Sequence, residues 1–141
     1  MGAYSASRQE TGLLIPSVND SLSDKLSAMR DDIATSLAGH RERNVHLAAL
    51  IREKGARLDE PRVIECHFWA SSQNAAEQLA KALQAKGFVK LQVTQSEGNL
   101  WNVEMATTQS VNDIVSEGFT VDMVETAATF DGSFDGWGTS I

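Results

Sequence analysis

One stretch of the sequence carries a carboxylate, an imidazole and an indole at alternate positions. These side chains belong to Glu65, His67 and Trp69, within the segment Arg62–Trp69. Alternation with apolar residues is typical of a β-strand that has one dry face, so we expect these three side chains together on the other face. A carboxylate next to an imidazole is a pairing that both general acid–base catalysis and metal binding use.

A second carboxylate and a second indole occur close to the C-terminus, in the segment Ser133–Ile141. Read as a short strand, this segment places Asp135 and Trp137 on one face and Phe134 on the other. If the first and last strands of the domain pair, the candidate site residues meet on one open face of the sheet. They are Glu65, His67, Trp69, Asp135 and Trp137.

The spacing of these residues favours a binding surface over a catalytic centre. No His-x-x-His, Cys-x-x-Cys or Asp-x-Asp-x-Asp spacing supports a metal site at His67, so we predict no catalytic residue, metal or cofactor. Gly136 and Gly138 lack the other residues of a phosphate loop and are predicted to bend the backbone around Trp137. Cys66 belongs to the dry face and is predicted to be buried and unreactive. The alternative is a small-ligand or metal-dependent hydrolytic site formed by Glu65, His67 and Asp135.

Three regions succeed one another along the chain. Residues 1–20 show no periodicity and are predicted to form a flexible arm. Residues 21–55 are predicted to form N-terminal helices, either two short ones or one kinked at Gly39, and residues 56–141 an acidic α+β domain. The first helix carries an apolar stripe that can pack on its own domain or form a homo-oligomer with a second copy. The stripe consists of Leu22, Leu26, Met29, Ile33 and Leu37.

Residues 56–141 are predicted to follow the order β, α, β, β, α, β. The strands are expected at Arg62–Trp69, Phe88–Val93, Leu100–Ala106 and Ser133–Ile141. The helices are expected at Asn74–Lys86 and, interrupted by Gly118, at Ser110–Ser116 and Thr120–Thr129. This order suits a ferredoxin-like sandwich, an antiparallel sheet with strand order 4-1-3-2 and both helices on one face. The first strand is then central, and the last strand is its antiparallel neighbour.

The net charge of -7 is concentrated in the second part of the chain. Residues 1–55 hold seven Lys/Arg and seven Asp/Glu, whereas residues 56–141 hold five bases and twelve acids. Such a domain repels phosphate backbones and attracts basic surfaces, so direct RNA binding by aromatic residues of an open sheet is disfavoured. The single cysteine excludes an intrachain disulfide and favours the cytoplasm, and no apolar run is long enough to cross a membrane.

The segment Phe134–Thr139 (FDGWGT) resembles the regulator of ribonuclease E activity B family, RraB, which closes its domain with an aromatic-Asp-Gly-Trp-Gly-Thr segment. The likeness covers about residues 44–141. It includes the Asp59-x-x-Arg62 turn, the Ile64-Glu65-x-His67-Phe68 strand and the helix Ala76–Phe88. The resemblance implies a ferredoxin-like domain that binds a protein, since the type member inhibits the endonuclease ribonuclease E by attaching to it.

Together these observations give one main hypothesis of function. The chain is expected to be a non-catalytic, cytoplasmic regulatory domain that docks a basic or disordered segment of a protein partner. The resemblance suggests that this partner is a ribonuclease. The docking surface is expected to be the acidic, tryptophan-bearing open face, with no direct contact to nucleic acid or membrane.

Overall fold

A computed structural model describes residues 18–140 of the chain, with side chains at residue 28 and from residue 30 onwards. The helices are α1 (Val18–Glu53), α2 (Gln73–Ala85), α3 (Val111–Ile114) and α4 (Glu117–Thr129). The strands are β1 (Arg62–Ala70), β2 (Val89–Gln95), β3 (Trp101–Gln109) and β4 (Gly132–Thr139). Most of the arm predicted over residues 1–20 lies outside the described residues. None of the described helices is long and apolar enough to cross a membrane.

The N-terminal part of the chain forms one helix. Of the two alternatives that the sequence left open, two short helices or one kinked at Gly39, the structure has a single helix, since α1 runs through Gly39 to Glu53. A glycine inside a helix costs only about 1 kcal/mol relative to alanine, which packing of the neighbouring turns can offset. Here His40, Asn44 and Ile51 supply that packing, because all three are buried.

The described part of the chain divides into two units, with the boundary between Ala34 and Thr35. In the first unit, the described residues all belong to α1, where Asp31 and Asp32 are exposed and Ile33 is half-buried. The side chains of Leu22, Leu26 and Met29 lie outside the described ones. Self-association through the apolar stripe therefore stays a prediction.

The second unit contains a four-stranded antiparallel sheet with the order β2-β3-β1-β4. Strand β1 is central and β4 is its antiparallel neighbour, which confirms both predictions for these strands. The alternation seen in the sequence persists in the structure, since Ile64, Cys66 and Phe68 are fully buried. The protein is thus a mixture of helices and an antiparallel sheet, an α+β fold.

Helices α2 and α4 touch each other and cover the packed face of the sheet. Leu79 and Leu83 of α2 and Met123 of α4 are almost completely buried there. Burial of each such side chain contributes about 1.5–3 kcal/mol relative to leaving it exposed. Serine side chains start both helices. Ser72 accepts a hydrogen bond from the backbone N–H of Ala75 at 3.0 Å, and Ser116 accepts one from Phe119 at 3.3 Å.

The Ser116 cap also explains a difference at Gly118. The sequence predicted that this glycine would interrupt the helix, but it lies in the first turn of α4. The break falls earlier, between α3 and α4, because Ser116 has the extended backbone of an N-cap residue. Serine in that position satisfies an N–H group that the helix leaves unpaired.

Candidate functional site

The open face of the sheet is the face turned away from α2 and α4, and the strand register shows which residues meet on it. Directly paired residues of antiparallel strands point to the same side of a sheet. His67 pairs with Glu104 of β3 and with Gly136 of β4. Trp69 pairs with Asn102 on one side and with Ser133 on the other. The imidazole and the indole therefore lie in neighbouring cross-strand rows.

A third row contains Glu65, which pairs with Ala106 of β3 and Gly138 of β4. Glu65 is exposed, while His67 and Trp69 are half-buried. The prediction that these three side chains share the open face is confirmed. Because β1 is central, they occupy the middle of that face rather than its rim.

Glu104 is a site residue that the sequence reasoning did not include. It lies directly across from His67 and diagonally from Glu65, so the open face has two carboxylates beside one imidazole. The sequence nevertheless contains a pattern that indicates Glu104 as a residue of this face. Asn102 and Glu104 alternate with the buried Val103 and Met105, and the expected strand order already put β3 next to β1.

The open face carries acidic, aromatic and aliphatic groups and the imidazole of His67, but no lysine or arginine in the paired rows that the structure describes. Its apolar part includes Trp69 and Val63, of which Val63 is 59% exposed. The nearest strand lysine, Lys90, pairs with Met105 and therefore belongs to the packed side of the sheet. The face thus combines negative charge with exposed apolar area.

Trp137 does not lie on this face, and its predicted position there is wrong. The β1–β4 register shifts between His67 and Phe68, so that Phe68 pairs with Phe134 while Cys66 pairs with Trp137. One extra residue, Asp135, is accommodated in this bulge, and the alternation of β4 changes phase across it. Phe134 and Trp137 consequently both belong to the packed side, where Trp137 is only 8% exposed.

Gly136 has the backbone conformation that makes this bulge possible. Its φ of 139° lies in a region that side-chain-bearing residues rarely adopt. The prediction that this glycine bends the backbone around Trp137 fits the observed geometry. Gly138 is different, since it does not have a positive φ and a Cβ there would meet no atom within 4 Å.

Asp135 is exposed and, together with His67, lines a cavity of about 210 Å³ between α1 and the β1–β4 pair. Other lining groups come from α1, including His40 and Arg43. Glu65 does not line this cavity. The structure thus brings His67 and Asp135 together but separates Glu65 from Asp135, which divides the site predicted from the sequence.

His40 joins α1 to the edge strand β4. Its Nε2 donates to the carbonyl oxygen of Phe134 at 2.9 Å, and its Nδ1 accepts from Arg43 Nη2 at 2.9 Å. The imidazole also stacks on the Phe134 ring, with centroids 4.7 Å apart. Burial, followed by the charge of Arg43, lowers the pKa of His40, although the Phe134 carbonyl and Asp135 act in the opposite direction. The neutral imidazole is the form that this contact uses.

Asn44, one turn further along α1, holds Trp137 in its buried position. Its Oδ1 accepts a hydrogen bond from Trp137 Nε1 at 2.8 Å, and its Nδ2 donates to Thr120 Oγ1 of α4 at 3.1 Å. Trp137 is therefore a structural residue that ties β4 to α1 and α4. The sequence reasoning missed Asn44 and His40 because isolated polar residues on a helix usually face solvent.

Little in the described structure points to catalysis. Burial raises the pKa of Cys66 to about 12, so its nucleophilic thiolate is scarce at neutral pH. Among the described residues, no group of three His, Cys, Asp or Glu side chains is placed to hold a metal ion. The arrangement on the open face is suited to contact with another molecule through charge and apolar area.

Comparison with known proteins assigns the chain to a family. A search of curated proteins returned no match. The sequence model of the RraB family, described as regulator of ribonuclease activity B, matches residues 41–139, which is more than two thirds of the chain. The matched region contains β1, β3 and β4, and so includes both the open face and the buried Trp137. The chain therefore belongs to the RraB family, as the FDGWGT segment at its C-terminus first indicated.

Proposed function

We propose that this protein is a non-catalytic regulator that binds a ribonuclease of the ribonuclease E type through its open face and inhibits it. Membership of a family of ribonuclease regulators supplies the class of partner. One observation carries the choice of surface. The middle of the open face combines Glu65, Glu104 and Trp69 with no lysine or arginine among the paired residues described.

The charge of this face selects the chemistry of the partner segment. A guanidinium or ammonium group lying between Glu65 and Glu104 would interact with both carboxylates. Arginine can in addition stack on an indole, which Trp69 presents in the adjacent row. A basic and extended segment of the ribonuclease is therefore the proposed ligand, and the acidic surface disfavours direct binding of RNA.

Gly138 supports close approach of that segment. Glycine within a strand often marks a bulge or a place where another backbone comes near. Gly136 belongs to the bulge, but the backbone of Gly138 is ordinary and the space beside it is empty. The absence of a side chain at this position leaves the surface next to Glu65 clear.

Several further features belong to the proposal. The strand order β2-β3-β1-β4, with α2 and α4 on one side, supports placing the domain among ferredoxin-like sandwiches. We propose that the protein inhibits the ribonuclease by binding to it and catalyses no reaction itself, which agrees with the unreactive thiol of Cys66. We place the protein in the cytoplasm, where its partner class acts on RNA. We also propose homo-oligomerisation through the apolar stripe of α1.

The test uses purified ribonuclease E, with calorimetry for binding and cleavage of a labelled RNA for inhibition. We expect the double variant Glu65→Lys/Glu104→Lys to lose binding and inhibition by tenfold or more, about 1.4 kcal/mol. The matched control is Glu77→Lys/Glu125→Lys, which makes the same charge change on exposed positions of α2 and α4. Equal losses in both variants, or none in either, would rule out the open face.

A second candidate function rests on the cavity of about 210 Å³ that His67 and Asp135 line with groups of α1. A small ligand bearing opposite charges could contact Arg43 and Asp135 there. A thermal-shift screen with amino acids and small dicarboxylates tests this. Stabilisation of the wild type that Asp135→Asn abolishes would favour it, whereas no stabilisation by any compound would leave the protein-binding function alone.

A further inference from the structure

A groove of about 530 Å³ lies between the C-terminal half of α1 and the junction of α3 with α4. Half of its lining residues are small or aliphatic, and the other half are polar or charged. The apolar part consists of Val45, Ala48, Ala49 and Val115. This groove is separate from the open face, because none of its lining residues belongs to a strand of the sheet.

The fold does not use the exposed part of this groove for its own packing. Val45 is 69% exposed and Ala49 is also exposed, whereas the neighbouring α1 residues Asn44 and Ile51 are buried. Helix α1 thus has a buried stripe and also an exposed apolar strip, which is formed by Val45 and Ala49. Such a strip can pack against a further element. The exposed strip here faces a ready-formed concavity rather than a flat surface.

The groove also lies in a basic part of the chain. Residues 41–57 hold five Lys/Arg and two Asp/Glu, in a protein whose net charge is -7. At one end of the groove Arg41 pairs with Glu117. At the other end the side chain of Arg52 is exposed and forms no hydrogen bond or ion pair within the described part of the chain.

We propose that this groove binds an amphipathic helix of a protein partner whose polar edge carries carboxylates. The distance along α1 from Arg41 to Arg52 is about 16 Å, which corresponds to about three turns of a docked helix. Ala48 and Ala49 in the middle allow the backbone of that helix to approach closely, and Val45 packs against its apolar face. A carboxylate at one end of the docked helix pairs with Arg52.

This surface does not depend on the proposed docking of a basic segment. The open face selects positive charge and an extended chain, whereas the groove selects negative charge and a helix. A partner can therefore engage the two surfaces at once, or two partners can bind separately. Loss of one interaction leaves the other measurable, so the two proposals fail independently.

The experiment uses the full chain, labelled with ¹⁵N, and two synthetic helical peptides of about three to five turns. Both peptides share one leucine and alanine face, and their flanking positions carry glutamate in one and lysine in the other. We expect the glutamate peptide to shift the amide signals of residues 44–52 and 115–117. The lysine peptide is expected to leave these signals in place.

Two variants make the result specific. Ala49→Glu puts a charge in the apolar strip at an exposed helix position, and is expected to weaken binding of the glutamate peptide by tenfold or more. Ala85→Glu is the matched control at an exposed alanine of α2 and is expected to bind normally. Arg52→Glu should reverse the preference between the two peptides. Equal binding of both peptides to the wild type, or shifts confined to other surfaces, would overturn the proposal.

Discussion

Replacement of Asn44 by alanine removes the hydrogen bond that ties the buried Trp137 to α1. In the native protein Asn44 accepts from Trp137 Nε1 at 2.8 Å and donates to Thr120 Oγ1 at 3.1 Å. The variant leaves a buried indole N–H without an acceptor, which costs about 1–3 kcal/mol, and loses one ordinary hydrogen bond worth about 1 kcal/mol. Thr120 keeps its bond to the carbonyl oxygen of Ser116 at 3.1 Å. The free energy of unfolding should therefore fall by about 2–4 kcal/mol.

A double-mutant cycle with Trp137→Phe isolates the hydrogen bond from the packing. The double variant no longer contains an unsatisfied N–H group, so its loss of stability should be smaller than the sum of the two single losses by about 1–2 kcal/mol. Urea unfolding followed by far-UV circular dichroism measures all four proteins. The control Asn74→Ala, at an exposed position of α2, should change stability by less than about 0.5 kcal/mol. Additive losses would refute the reasoning.

Three further predictions concern His40, Cys66 and two glycines. The pKa of His40 is lowered from 6.5 in the folded protein. The neutral imidazole therefore stabilises the fold above about pH 6.5, and this stabilisation is lost as the pH falls through the folded-state pKa. Urea unfolding between about pH 8 and about pH 5 should show this loss in the wild type but not in the variant His40→Phe. With its pKa near 12, the thiol of Cys66 should resist iodoacetamide in the native protein at neutral pH and react once the protein is unfolded in urea. Equal rates of labelling in the native and the unfolded protein would contradict the burial of Cys66. Gly132→Ala should destabilise the protein by more than about 1 kcal/mol, because the added Cβ would collide with the Trp69 carbonyl oxygen. Gly138→Ala should fold normally, because its Cβ would meet nothing within 4 Å. Similar thermal midpoints for the two variants would refute this contrast.

The central strand was predictable because its signal is local. The alternation of Ile64, Cys66 and Phe68 with polar residues reports burial on one face of β1 directly, and the structure agrees. The pairing of β1 with β4 followed from element order and topology alone. Glu65, His67 and Trp69 were placed on the correct face for the same reason.

Trp137 shows where the alternation argument fails. A bulge shifts the phase of a strand by one residue, and its position depends on the partner strand and on a backbone conformation that the sequence only permits. Gly136 allowed such a conformation but did not require it. His40 and Asn44 were missed for a related reason, since their partners Phe134 and Trp137 are more than ninety residues away in the chain.

The position of the docking surface can be tested in one spectrum. The chain contains three tryptophans, of which Trp69 lies on the open face, while Trp101 and Trp137 belong to the packed side of the sheet. We would label the protein with 5-fluorotryptophan and record ¹⁹F spectra with and without purified ribonuclease E, with signals assigned by Trp69→Phe and Trp101→Phe. Resonance frequency is compared, because a large complex broadens all three signals. A shift of the Trp69 signal alone is the predicted result. Binding that shifts the Trp101 or Trp137 signal and leaves Trp69 unchanged would contradict docking on the open face.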